Sequence, residues 1–116
     1  MIMVSDMDRS IRFYQDVLGL KLKFQSPDWT EFEVDSATLA LHGGGKPQPP
    51  QAREQFAGTA SIGFSVENLD NTCEDLKRKG ARMALPPTER EGEGIRLAVF
   101  LDPDGLAVSF SQNVRR

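Results

Sequence analysis

An eight-residue stretch near the start of the chain, MVSDMDRS (Met3 to Ser10), returns past the middle as SVENLDNT (Ser65 to Thr72). In register, Val4 lies over Val66, Met7 over Leu69, Asp8 over Asp70 and Ser10 over Thr72. A repeat of this kind constrains the fold more than any single motif does, because both copies must use the same elements in the same order.

The first copy continues as a helix, SDMDRSIRFYQDVLGL, in which Ser5 or Asp6 caps the open amides and Met7, Ile11, Tyr14, Val17 and Leu18 share one face. Gly19 supplies the stop. Three short runs follow, KLKFQ, WTEFEVD and ATLALHG, whose alternation and β-rich composition read as strands separated by SPD and DS turns. The second copy runs TASIGFSV, then a capped helix ENLDNTCEDLKRKG closed by Gly80, then RMALPP, GIRLAVFLD and LAVSFSQ. The unit is βαβββ, used twice, which is an α+β class. The modules span 1–43 and 59–116, and the connector over 44–58 carries glycines and prolines that deny both helix and ladder.

Bulk properties narrow the function classes. With 116 residues, 39% apolar and 27% charged, the chain can bury a proper core without a disulfide or metal. A net charge of −3 with mixed signs gives no basic stripe for nucleic acid. One cysteine, Cys73, suits a reducing compartment, and it falls on the apolar helix stripe with Leu69 and Leu76, so it reads as core. No apolar run approaches membrane-spanning length, and a cytoplasmic protein is the expectation.

Strand alternation separates the two sheet faces. Taking WTEFEVDSATLALHG as a hairpin turning at Asp35 and Ser36 pairs Val34 with Ala37, Phe32 with Leu39, Glu31 with Ala40 and Trp29 with His42. Phe32, Val34, Leu39 and Leu41 then face the helix, while Trp29, Glu31, Glu33, Ala40 and His42 face a cavity. In the second module, a four-residue turn at DPDG sends Leu97, Val99, Leu101, Val108 and Phe110 to the helix. It sends Arg96, Ala98, Phe100, Ala107, Ser109 and Ser111 to the concave side. Ser61, Gly63 and Ser65 join them there, and the repeat register adds Met1 and Met3.

Tandem βαβββ modules, the helix SDMDRSIRFYQDVLGL and the late turn FLDPDGLAVSF together resemble the vicinal oxygen chelate superfamily, which includes glyoxalase I, extradiol dioxygenases and bleomycin-resistance proteins. The resemblance covers nearly the whole chain. It implies an open, incomplete barrel with the helices outside, and a homodimer. In metal-dependent members the ligands come from four strand positions. Three of them fall on Ala40, Ser61 and Ser109 here, and the fourth falls ahead of Met1. None of the matched positions carries His, Glu or Gln, so no metal ligand is assigned. The position of a substrate-binding arginine of glyoxalase I falls on Met3.

The candidate ligand-binding residues are Met3, Trp29, Glu31, His42, Ser61, Arg96, Phe100 and Ser109. Trp29 offers a π-face for stacking, or an anchor at a rim or dimer interface. Arg96 clamps a carboxylate or phosphate, or pairs with Glu31 or Glu33. Phe100, Met1 and Met3 grip an apolar ligand or plug the barrel. His42 is a general base with Glu31 to orient it, or a neutral histidine hydrogen-bonded at the cavity rim. The leading expectation is a binder that sequesters a small, partly aromatic or apolar molecule without a cofactor. The alternatives are a lyase or dioxygenase using a divalent metal, a His42 acid/base enzyme, or a filled barrel serving as an interaction partner.

Overall fold

Asp6 starts the first helix by accepting the Arg9 amide on its own Oδ1 at 3.1 Å while its backbone stays extended. Asn68 does the same at the repeat position, accepting the Asn71 amide at 3.1 Å. The computed structural model describes residues 1–46, 60–90 and 92–114. The elements are β1 (Ile2–Met3), α1 (Met7–Ile11), β2 (Lys21–Gln25), β3 (Trp29–Val34), β4 (Ala37–His42), β5 (Ile62–Ser65), α2 (Leu69–Arg78), β6 (Arg82–Arg90), β7 (Ile95–Leu101) and β8 (Ala107–Asn113). They form two open four-stranded sheets of identical topology, ordered β1-β4-β3-β2 and β5-β8-β7-β6. In each, the first strand runs parallel to the last strand of its module, and the other pairs are antiparallel. The α+β, twice-βαβββ reading is thus the observed one. Two compact units result, Met1–Ala52 and Arg53–Arg116. From residue 47 onward the expected connector over 44–58 lies outside the described residues. Among the described residues no helix is long and apolar enough to cross a membrane.

In the first unit α1 widens into a π-helical turn over Arg12–Val17, closed by the Leu18 amide donating to the Phe13 carbonyl at 2.9 Å. The wider turn rotates Phe13 inward beside Tyr14, so both are buried, whereas a 3.6-residue period admits only Tyr14. Tyr14 packs its ring 6.2 Å from that of Phe32, which identifies the helix-bearing face of the sheet. The β3–β4 register is the expected one throughout, from Val34 opposite Ala37 to Trp29 opposite His42. Its two-residue turn holds Asp35 at φ 53°, a left-handed conformation that Asp tolerates better than most residues.

The second unit corrects one expectation. Sequence alternation with a four-residue turn puts Arg96, Ala98 and Phe100 beside Ser109 on the concave side. The structure pairs Phe100 with Val108 and Ala98 with Phe110, and it pairs Val99 with Ser109 and Leu97 with Ser111. The hairpin is closed one residue wider: the Gly105 amide donates to the Asp102 carbonyl at 2.9 Å, and the Asp102 amide donates to the Leu106 carbonyl at 2.9 Å. Gly105 adopts φ 86°, leaving a three-residue loop with a left-handed glycine. The extra residue flips every β7 side chain relative to β8. Phe100 accordingly lies edge-on to Phe110 at 5.9 Å, and Phe64 stacks on Phe110 at 5.7 Å. Leu69, Cys73 and Leu76 of α2 are buried, as the apolar stripe predicts.

Candidate functional site

On the face of the first sheet opposite α1, Met3, His42 and Trp29 lie side by side across β1, β4 and β3, with Ala40 and Glu31 paired two residues along. The Trp29 indole N–H donates to Glu31 Oε2 at 2.8 Å. Glu31 Oε1 lies 3.8 Å from the Lys23 ammonium, which also donates to Thr38 Oγ1 at 3.3 Å. The Trp29 and His42 rings stand at 87° with centroids 5.9 Å apart. His42 Nδ1 sits 2.6 Å from the Gly43 carbonyl oxygen. A carbonyl only accepts, so Nδ1 is the donor of this contact, which leaves Nε2 as the acceptor of that tautomer.

Four of the sequence-derived candidates, Met3, Trp29, Glu31 and His42, therefore meet on one face. Glu31 serves Trp29 and Lys23 rather than His42, so the general base has no orienting carboxylate; a backbone carbonyl orients it instead. Lys23 and Phe24 belong to the same face and were not legible in the sequence. A β-bulge between Leu22 and Phe24 sets Phe24 opposite Glu31, and KLKFQ carries no signal for it.

The second unit places its candidates differently. Arg96 reaches back to α2 and donates to both oxygens of Asp70, at 3.1 and 3.4 Å. Glu33 pairs with Lys21 at 3.7 Å. Phe100 is fully buried on that same helix-bearing face. The three-residue turn thus moves Arg96 and Phe100 off the face they were expected to share with Ser109. Ser109 pairs with Gly63 and donates its hydroxyl to the Ile62 carbonyl at 3.5 Å. A Cβ on Gly63 would come within 2.7 Å of Ser109 Oγ, so a larger residue there would make that hydroxyl rotate. Ser61 is exposed immediately before β5.

Residues 1–110 match the profile of the Glyoxalase/Bleomycin resistance protein/Dioxygenase superfamily. The chain belongs to this superfamily. It is 30% identical to the lactoylglutathione lyase of Haemophilus influenzae, over 97% of this chain and 89% of that protein. It is also 30% identical to the lactoylglutathione lyase of Escherichia coli O157:H7, over 93% and 85% respectively. A glyoxalase/dioxygenase from Nostoc punctiforme shares the fold, with a TM-score of 0.82 at 22% identity over 97% of this chain and 86% of that one.

The positions where metal-dependent members of the superfamily keep their ligands do not fit a divalent ion here. Ala40 has no donor atom, and the Ser109 hydroxyl is engaged with Ile62. Catalytic metal sites need about three protein ligands, drawn from His, Cys, Asp or Glu for the zinc-like ions. No group of three or more such residues placed to hold a metal occurs among the described residues.

Proposed function

We propose that the protein is a small-molecule-binding member of the superfamily that holds a flat, partly aromatic ligand on the face of the first sheet opposite α1, without a catalytic metal. The observation that supports this reading is the fixed indole: Glu31 accepts the Trp29 N–H at 2.8 Å, so the ring is ordered before any ligand arrives. Around it stand Met3, 49% exposed, and Phe24, 53% exposed, which supply adaptable apolar contact. The charges on the face are paired as Lys23 with Glu31 and Lys21 with Glu33, so the face favours neither a cation nor an anion.

The second reading is a metal-dependent lyase, favoured by the 30% identity to proteins named lactoylglutathione lyase. Against it stand Ala40, Ser61 and Ser109 at the ligand positions, and Met3 where the resemblance expects a substrate-binding arginine. Metal analysis of purified, dialysed protein separates the two. Substoichiometric metal is expected, and a stoichiometric nickel, zinc, iron or manganese ion that survives dialysis would sink the metal-free reading.

A further inference from the structure

The indole and the imidazole on the face proposed above each have their N–H committed within the protein, and this inference rests on that reading. The Trp29 indole N–H is taken by Glu31, and the Glu31 oxygens are taken by Trp29 and Lys23. The Lys23 ammonium is held between Glu31 and Thr38, and the His42 Nδ1–H is given to the Gly43 carbonyl. On the His42 ring itself, with Nδ1 given to Gly43, the group left for a ligand is the acceptor Nε2. It sits on a half-buried ring whose strand neighbours, Met3 and Trp29, present it with no free donor.

We infer that the ligand is a flat ring bearing a hydroxyl or N–H donor, and that His42 Nε2 is the atom that receives it. A ligand without a donor strips water from Nε2 and leaves a lone pair unpaired against an apolar surface, which costs affinity. A site built to accept a hydrogen bond discriminates strongly against analogues that lack the donor, while an extra apolar contact discriminates weakly. Glu31 acts here as a positioning residue: it holds Trp29 so that the stacked ring brings its donor toward His42.

The chain has a single histidine and a single tryptophan, so both reporters are unambiguous. Isotope-labelled histidine, followed by NMR, is expected to show the neutral ring protonated on Nδ1. Titration with naphthol and with its methyl ether is expected to give binding about three- to tenfold tighter for naphthol, with a shift at Nε2. His42→Phe removes the preference, and His42→Gln, whose amide oxygen accepts, retains part of it. Equal affinity for the two compounds in the wild-type protein, a preference that survives His42→Phe, or a neutral ring protonated on Nε2 overturns the donor inference alone. If neither compound perturbs Trp29 or His42, the binding face itself is overturned.

Discussion

In the first unit Trp29 stands opposite His42 and Glu31 opposite Ala40; the matching pairs of the second unit are Leu97 with Ser111 and Val99 with Ser109. The same comparison on the other face of each sheet finds near-equivalents. Phe32 matches Phe100 and Leu41 matches Phe110, while on the helices Ile11 matches Cys73 and Tyr14 matches Leu76, all of them buried. The two caps, Asp6 and Asn68, make the same bond at the same length. The half of each module that packs against its helix is held to one solution by volume and by backbone satisfaction. The opposite half is free of that constraint, and only the first unit uses it to assemble a tryptophan, a carboxylate and an imidazole. A repeated scaffold can thus confine a site to one of its copies.

The comparison can be broken most severely at the matched phenylalanines. Phe32→Ala and Phe100→Ala each remove a fully buried ring and should each cost about 3–5 kcal/mol in denaturant unfolding. A loss well under that range for Phe100→Ala would return Phe100 to the opposite face and undo the equivalence. The hairpins supply a smaller and one-sided effect. Asp102 is buried, and its Oδ1 accepts the Asp104 and Leu106 amides at 2.9 and 2.8 Å. Asp102→Ala should therefore cost about 1–3 kcal/mol. Ala substitution at Ser36, in the two-residue turn of the first unit, should fall within about 0.5 kcal/mol.

The smallest effect is a pH dependence confined to the second unit. Burial, and after it the Asp70 carboxylate, pushes the Cys73 thiol up, against a smaller opposing pull from Lys77 and Arg96. The folded state then keeps its proton where the unfolded chain has lost it. Stability from this group is fully present below the ordinary thiol value of about 8.5 and falls as pH rises through the raised folded value. Urea midpoints followed upward from neutral pH should decline in the wild type, and Cys73→Val should flatten that part of the decline.

Most of the fold is legible in the sequence because the repeat, the caps and the alternation of WTEFEVDSATLALHG all express local rules that tertiary packing does not override. The Trp29–His42 pairing follows from that hairpin alone. Two local irregularities escape such rules. The π-helical turn that buries Phe13 depends on packing against the sheet rather than on any residue pattern. The DPDG turn does carry a readable signal, since Asp first, Pro second and Gly fourth suit a tight turn followed by a left-handed glycine. Taking it as a four-residue turn misses one residue and exchanges Phe100 with Val99. Phe24 is hidden for a related reason, since the bulge between Leu22 and Phe24 turns it onto the Glu31 face and leaves no mark in KLKFQ.

A titration of Trp29 fluorescence with a panel of small aromatic compounds, run with and without a strong chelator, tests the metal-free binding face most directly. Saturable quenching by at least one donor-bearing aromatic is expected, unchanged by the chelator and weakened by Glu31→Leu, which takes away the acceptor that holds the indole N–H. A flat response across the panel, or quenching that vanishes when metal is removed, would contradict the metal-free binding face.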